Sequence, residues 1–273
     1  GGSDRYVLLG MDWVYDADGA LDEARSHLVV SNDAVFDACA GCDRFLAGPS
    51  VNPQRHDAIA ALDDVAARGA ALIKVLPNMQ GFDPADPAYI PFWKRLKEHG
   101  LPILAHTGYE HALPSLNEDF GDPRRWVNAL NAGCTVIGAH CAAAGKFHRE
   151  EYFNAFTAML SRYPKLYGDV SGFASPIRSS YLKPMLSSAL RRRRLLVGSD
   201  FPIPCLPGPF VRELGVRTVA QLRLDKNPLR RNRLLFESLG LGEEVMTRAA
   251  KVLLGVDDAP QPRPRRRVRS TAG

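Results

Sequence analysis

The feature that most constrains the fold of this chain is a set of short apolar runs, each followed closely by a polar residue. Runs at 70–73, 103–105, 136–139 and 195–197 lead into Lys74, His106, His140 and Asp200. Strands buried in a parallel sheet read as continuous apolar runs, and the carboxyl ends of such strands meet at one rim of the sheet. We therefore predict that the four polar side chains lie together at the carboxyl rim of a parallel barrel.

The spacing of the four residues is that of repeated strand-helix units. Lys74 and His106 lie 32 positions apart, and His106 and His140 lie 34 apart, close to the roughly 30 residues of one unit. Asp200 follows after a further 60 positions, and the strand skipped in that interval is the run 165–170. This alternation predicts an α/β fold of the (β/α)8 TIM-barrel type.

Seven strands can be counted in the sequence, whereas a closed barrel of this type has eight. The first counted strand, at 7–11, begins almost at once after Gly1, Gly2 and Ser3. We therefore expect either that the first strand of the barrel precedes residue 1 or that another segment fills its place, and that one barrel domain spans residues 4–256. Helices are predicted at 57–68, 88–99, 123–132, 150–162, 227–240 and 243–254.

Composition and charge exclude several other classes of protein. A chain of 273 residues that is 45% hydrophobic can bury a large core, and no run approaches the ~18 apolar residues of a membrane span. The net charge of +5 is concentrated in the arginine- and proline-rich segment 257–273, predicted to be a disordered tail. Five cysteines, an odd number, indicate reduced thiols. We expect a cytoplasmic protein that binds neither nucleic acid nor a membrane, and homo-oligomer formation stays open.

Several segments together resemble the amidohydrolase superfamily, and specifically its amidohydrolase-2 group of metal-dependent TIM-barrel hydrolases and decarboxylases. These segments lie at 72–78, 83–87, 105–111, 138–141 and 198–202. The resemblance implies a single divalent metal, usually zinc, bound by a His-x-His pair on the first strand, a histidine on the fifth and an aspartate on the eighth. This chain contains no His-x-His pair, so it resembles a member that lacks the first strand with its two ligands.

Carried over position by position, the resemblance implies that His106, His140 and Asp200 are metal ligands, with Zn2+ as the expected metal. It also implies catalytic roles for three residues. Asp200 would relay a proton, His140 would polarise the substrate, and Lys74 would bridge metals or hold an anionic substrate group. A zinc ion in such a site lowers the pKa of its bound water to about 7, which makes a nucleophile available at neutral pH.

Five further residues are predicted to bind a small-molecule substrate: Tyr109, Glu110, His111, Asp12 and Arg178. Tyr109, Glu110 and His111 follow shortly after His106, just beyond the end of its strand, where they would line the pocket. Asp12 comes right after the first counted strand, at the same rim. Arg178 lies in the loop after the sixth counted strand, from which it would meet a substrate carboxylate.

Three functions remain open at this point. The favoured one is a metal-dependent hydrolase that acts on a small ester, lactone or amide-like substrate through a metal-activated water. The second is a metal-dependent decarboxylase or other carbon-carbon lyase on a small carboxylic acid, which relatives carry out with similar residues. The third is a catalytically inactive barrel that serves as a binding or scaffold protein, a reading motivated by the absent His-x-His pair.

Overall fold

The computed structural model describes residues 4–110, 112–143 and 151–255. Its strands are β1 (Tyr6–Leu9), β2 (Phe45–Gly48), β3 (Ile73–Val75), β4 (Ile103–His106), β5 (Val136–Ala139), β6 (Leu166–Asp169) and β7 (Leu195–Leu196). Its α-helices are α1 (Asn32–Ala40), α2 (Ala58–Ala67), α3 (Pro77–Gln80), α4 (Ile90–Glu98), α5 (Val127–Asn131), α6 (Glu151–Arg162), α7 (Leu182–Leu186), α8 (Ala189–Arg193), α9 (Val211–Leu224), α10 (Pro228–Ser238) and α11 (Glu243–Leu254).

The strands are parallel and follow one another in chain order. β1 pairs with β2, and β3 to β7 form a second continuous set. A parallel bridge between Ser50 and Lys74 joins the two sets, and the Lys74 N–H donates to the Pro49 carbonyl oxygen at 2.8 Å. Strands in this order with helical crossovers are the pattern of a TIM barrel. The predicted α/β barrel-like fold is confirmed, and the strand expected ahead of residue 1 stays a prediction.

The core forms where the strands face the surrounding helices. Ile73, Ile103 and Val136 stand opposite one another in register and are fully buried. Trp93 of α4 packs against Trp126 with ring centroids 5.6 Å apart, and both belong to the same apolar cluster. Alternate strand residues point to opposite faces. Lys74, which follows Ile73 in β3, is therefore directed away from this layer and toward the barrel interior.

Two predicted boundaries are wrong in ways that matter for the rim. The run at 70–73 predicts a strand that ends at Lys74, but β3 continues to Val75 because Lys74 pairs with Leu104 in the ladder. The apolar run at 195–197 predicts a last strand over 195–198, but β7 ends at Leu196, where its pairing with β6 stops. Lys74 therefore lies within β3, one residue before the end of the strand, and Asp200 lies on the loop that follows β7.

The helix predictions agree in place with α2, α4, α5, α6, α10 and α11, whereas the sequence analysis does not predict α1, α3, α7, α8 and α9. α11 ends as predicted at Leu254, and Gly255 then adopts a left-handed φ of 64° that closes the helix. No helix within the described ranges has the length and apolar content needed to cross a bilayer. The predicted tail, 257–273, lies outside the described residues.

Candidate functional site

The carboxyl rim between β3 and β7 brings together the four polar residues predicted to meet there. The His106 and His140 rings pack edge to face with centroids 5.1 Å apart. His140 Nδ1 lies 3.9 Å from Asp200 Oδ2. Lys74 pairs with Leu104, two residues before His106, so its side chain is on the same face of the sheet as His106, and it interacts electrostatically with Asp169, Asp200 and Glu110. Four residues that are remote in sequence thus share one small volume.

His140 opens a strained turn directly after β5. His140, Cys141 and Ala142 have φ values of 60°, 50° and 54°, a left-handed conformation that costs L-residues roughly 1–2 kcal/mol each. The Ala142 N–H donates to Thr107 Oγ1 at 3.0 Å, and the His140 N–H donates to Asp169 Oδ1 at 2.9 Å. Strain of this kind persists where neighbours enforce it, and it concentrates at functional sites. The turn fixes the position from which the His140 ring enters the rim.

The neighbours of His140 determine which ring nitrogen carries the proton when the ring is neutral. Nδ1 lies 2.8 Å from the Ser171 carbonyl oxygen, an atom that can only accept a hydrogen bond. Ser171 Oγ lies 2.9 Å from Nδ1 and donates its own proton to Asp169 Oδ1, so it also faces the ring as an acceptor. The proton therefore belongs on Nδ1, and the lone pair of the ring is on Nε2.

Asp200, Arg178 and His140 converge on Gly172. Gly172 has a φ of 71°, and a Cβ at this position would lie 3.1 Å from Asp200 Oδ2, 3.2 Å from Arg178 Nη1 and 3.3 Å from His140 Nδ1. Asp200 itself adopts a left-handed φ of 58°. Glycine is needed here for both the backbone conformation and the close approach. An acid, a guanidinium and an imidazole from three loops therefore face one point.

Arg178 is held rigidly although it is charged. Its side chain is buried, its Nε donates to the Ala143 carbonyl oxygen at 3.2 Å, and its Nη2 donates to the Tyr109 carbonyl oxygen at 3.0 Å. Two fixed hydrogen bonds set the plane of the guanidinium. Nη1 of Arg178 is the atom that faces Gly172.

Burial shifts the pKa of several ionisable groups in this region away from their ordinary values. Burial lowers the pKa of Lys74 and of Arg178 and raises the pKa of Asp169 and of Asp200, while opposite charges within the site partly offset each shift. The pKa of His106 is lowered well below its usual value by burial and by the neighbouring imidazole. Perturbed groups of both signs gathered in one place are typical of catalytic sites.

Glu110 and Tyr109, predicted to bind substrate, lie on the segment that follows β4. Glu110 Oε2 is 3.5 Å from His106 Nε2, and the Glu110 N–H donates to Glu118 Oε2 at 3.1 Å. The Tyr109 ring stacks on the Tyr152 ring with centroids 5.2 Å apart. Glu110 therefore lies together with Lys74, His106, His140 and Asp200, and these five residues form the rim cluster. His111, predicted for the same role, lies outside the described residues.

Asp12, also predicted to bind substrate, is engaged in a different network. Its carboxylate accepts hydrogen bonds from the Asn52 N–H at 2.8 Å, from the Trp13 N–H at 2.9 Å and from the Tyr15 hydroxyl at 3.2 Å, and it pairs with Arg55 at 3.3 Å. These contacts give Asp12 a structural task, which is to tie the loop after β1 to the loop after β2. Its role in substrate binding stays a prediction.

Sequence reasoning missed Asp169, Ser171 and Gly172. Asp169 ends β6 at the same level of the sheet at which His106 ends β4, so the rule applied to the histidines would have selected it. The strand was recognised in the sequence, but its last residue was not singled out. Ser171 and Gly172 carried no signal of their own, because their importance depends on contacts with His140 and Asp200.

The donor atoms of the site fit a divalent metal in kind. His106 Nε2 is buried and has no hydrogen-bond partner among the described residues, and the tautomer of His140 leaves its lone pair on Nε2. Neutral imidazole nitrogens with a nearby carboxylate such as Glu110 are the donors that zinc prefers. Within the described ranges, however, no three His, Cys, Asp or Glu side chains are already grouped as a metal site. The donor set is suitable in chemistry and incomplete in number.

Solved structures with low sequence identity share the fold. An uncharacterized TIM-barrel protein from Bordetella bronchiseptica is 15% identical, with a TM-score of 0.63 over 92% of this chain and 78% of that chain. A candidate 2-pyrone-4,6-dicarboxylic acid hydrolase from Pseudomonas putida is 16% identical, with a TM-score of 0.56 over 84% and 78%. A 2,6-dihydroxybenzoate decarboxylase from Rhizobium is 15% identical, with a TM-score of 0.53 over 83% and 76%.

These similarities concern the TIM-barrel architecture, and no curated protein matches the sequence. The sequence itself carries a more specific signal. The amidohydrolase family model matches residues 7–231, a range that includes all of β2 to β7, all but the first residue of β1, and the residues of the rim cluster. The chain therefore belongs to the amidohydrolase family.

Proposed function

We propose that the protein is a metal-dependent hydrolase of a small lactone, ester or amide-like substrate that carries a carboxylate group. One observation carries this proposal, namely the convergence of Asp200 Oδ2, Arg178 Nη1 and His140 Nδ1 on Gly172. A hydrolase of this kind needs a base for water and a fixed cation for the substrate anion at a few ångströms from one another. Asp200 would be the base and Arg178 the cation, and both side chains approach Gly172.

Arg178 would bind the substrate carboxylate. A guanidinium donates two parallel hydrogen bonds to a carboxylate, and its affinity is greatest where its plane is fixed in advance. The carbonyl oxygens of Ala143 and Tyr109 fix that plane. Lys74 adds a second buried positive charge to the same region, which favours an anionic substrate.

Asp200 would act as the general base. It takes a proton from the attacking water and returns that proton to the leaving oxygen or nitrogen as the scissile bond to the carbonyl carbon breaks. A base is most effective when its pKa lies near the working pH, and burial raises the pKa of Asp200 in that direction. The partly exposed side chain, at 28%, leaves the carboxylate accessible to water.

Amidohydrolases are in general metal-dependent. His106 and His140 would hold the metal through their Nε2 atoms, with Zn2+ as the expected ion, and Glu110 or Asp200 would add an oxygen donor. When bound, the metal supplies Lewis acidity that lowers the pKa of water and polarises a carbonyl group. The residues around it orient the substrate and move the proton.

The test is a product assay on a panel of carboxylated lactones, esters and amides with the purified full chain, combined with elemental analysis. A gain of one water in the product, together with bound metal, supports the proposal. His106→Ala should lose both metal and turnover. His99→Ala is the matched control, because His99 pairs with Asp63 on the surface at 2.6 Å, away from the rim cluster. Equal loss in the two variants would contradict the proposal.

A decarboxylase is the second candidate, because the same groups suit a carboxylic acid substrate. Arg178 would hold the carboxylate that leaves, and Asp200, whose pKa is raised, would protonate the carbanion. The solved decarboxylase with the same fold motivates the choice of test compounds, which are hydroxybenzoates. Release of carbon dioxide without hydrolysis of the first panel would select this candidate. A folded protein that does neither reaction would support a binding or scaffold role.

A further inference from the structure

Asp169 receives more hydrogen bonds than its place at a strand end requires. Its Oδ1 atom accepts from the His140 N–H at 2.9 Å, from the Ser171 N–H at 3.0 Å and from the Ser171 hydroxyl. The carboxylate is buried, with 7% of the residue exposed. A buried charge that serves packing alone is unfavourable, so the three donors indicate a specific task.

Ser171 transmits the position of this carboxylate to the His140 ring. Its carbonyl oxygen and its hydroxyl oxygen lie 2.8 Å and 2.9 Å from His140 Nδ1. The hydroxyl proton is already donated to Asp169, so both oxygens present lone pairs to the ring. Asp169 thus holds the backbone of His140 directly and its imidazole through Ser171.

We propose that Asp169 and Ser171 are positioning residues that keep His140 in one ring orientation and one tautomer, with the proton on Nδ1 and the lone pair on Nε2. A histidine that must offer a lone pair to a metal or to a substrate needs its other nitrogen to be tied down. The left-handed turn at 140–142 increases this need, because an unrestrained chain would leave that conformation. Only the catalytic consequence of this inference rests on the proposed function.

The first test needs no substrate. The full chain is labelled with 15N-histidine, and long-range proton-nitrogen NMR spectra report which ring nitrogen carries the proton. The His140 signals are assigned by their loss in His140→Gln. We expect a protonated Nδ1 and an unprotonated Nε2, with or without added zinc. A protonated Nε2 with a bare Nδ1 in the unsubstituted protein would overturn the inference.

Substitutions at Asp169 separate hydrogen bonding from charge. Because Oδ1 alone accepts all three donors, Asp169→Asn can keep them through its amide oxygen, whereas Asp169→Ala removes the acceptor. We expect Asp169→Asn to retain the Nδ1 tautomer and Asp169→Ala to populate both tautomers. An unchanged His140 spectrum in a folded Asp169→Ala would contradict the positioning role, and the spectrum of the unsubstituted protein decides if that variant does not fold.

Kinetics then distinguish this inference from the proposed function. With a substrate identified, Asp169→Ala should lower kcat by about 10–100-fold and change KM little, as expected for an outer-shell partner of a functional histidine. Ser187→Ala is the control, because its hydroxyl caps the Pro184 carbonyl oxygen at 2.8 Å on the outer surface. The expected tautomer in a protein that hydrolyses nothing would sustain the inference and reject the function. A protonated Nε2 with a bare Nδ1 in a protein that does hydrolyse the substrate would reject the inference and sustain the proposed function.

Discussion

The loops that follow β1, β2 and β3 and the rim between β4 and β7 carry similar polar residues, but these residues have different surroundings in the two regions. In the first region Asp12, Asn52 and Gln80 hydrogen-bond to one another. Gln80 Oε1 accepts from the Leu76 N–H at 2.7 Å, and its Nε2 donates to Ser50 Oγ and to the Asp12 carbonyl oxygen. Asn52 bonds through both its amide oxygen and its amide nitrogen. Four of these contacts join one loop to another.

In the second region the same kinds of groups are strained, shifted in pKa or left without a partner. His106 Nε2 is buried with no hydrogen-bond partner among the described residues. His140 and Asp200 occupy left-handed backbone conformations, and burial raises the pKa of Asp200. Such costs are retained where they serve function. Backbone strain at His140 and Asp200 and a partnerless ring nitrogen at His106, and not residue type, therefore distinguish the candidate site from the network around Asp12, Asn52 and Gln80.

The largest difference between the two regions should be seen when one carboxylate is removed from each. Asp200→Asn should reduce turnover by about 10²–10⁴-fold, the range of a general acid-base group, with little loss of stability. Asp12→Asn should retain turnover but lower the free energy of unfolding by about 1–3 kcal/mol, because an NH2 group replaces one of the two oxygens that accept from the Trp13 and Asn52 N–H groups. Turnover and denaturant unfolding are measured on both variants. Loss of turnover in folded Asp12→Asn would place that residue in the site after all.

A pair of glycine substitutions isolates the convergence point. Gly172 and Gly69 both adopt left-handed φ values, of 71° and 88°, but a Cβ at Gly69 meets nothing within 4 Å. Alanine should cost roughly 1–2 kcal/mol of stability at either position through the backbone alone. Only Gly172→Ala should also lower kcat/KM, by about 100-fold, because it displaces Asp200 and Arg178. Equal activity in the two variants would show that the convergence has no catalytic role.

The charge that faces the substrate can be altered while its sign is kept. Arg178→Lys retains a cation but cannot reproduce the two carbonyl contacts together with a paired contact to a carboxylate. We expect KM for a carboxylated substrate to rise about tenfold, the equivalent of ~1.4 kcal/mol, and kcat to change less. An uncharged ester of the same shape serves as the control substrate and should show no such rise.

The smallest effect on activity is expected for a substitution in the first region, at Gln80. Gln80→Leu removes an acceptor and a donor from a buried network, so the free energy of unfolding should fall by about 1–3 kcal/mol. Turnover per folded molecule should stay within about twofold, since no group of the rim cluster contacts this side chain in the described structure. A selective fall in kcat would mean that the two regions are coupled.

The sequence predicts the strand ends of the barrel well because buried strands leave apolar runs of recognisable length. His106 and His140 follow such runs, and the spacing of about one strand-helix unit places them side by side. The ladder limits are less predictable, because hydrogen bonds from neighbouring strands set them. For this reason β3 runs through Lys74 and β7 stops at Leu196, four residues before Asp200.

The supporting residues could not be derived in the same way. Gly172 matters because Asp200 and Arg178 approach it from distant loops, and a sequence does not record such contacts. Ser171 is one of many serines until its two oxygens are seen against the His140 ring. Asp12 shows the opposite case, since its position after a strand suggested the site whereas its described contacts are structural. The position of a residue along a strand identifies it as a candidate for the site, whereas its contacts in the folded protein show what it does.

The proposed site can be tested most directly by a crystal structure of the full chain with zinc and a non-hydrolysable lactam that carries a carboxylate. We predict that the lactam carbonyl lies beside Asp200 at Gly172, that its carboxylate contacts Arg178 Nη1, and that His106 and His140 bind the metal through Nε2. A ligand bound at the network around Asp12, with the Gly172 region unchanged, would contradict this prediction.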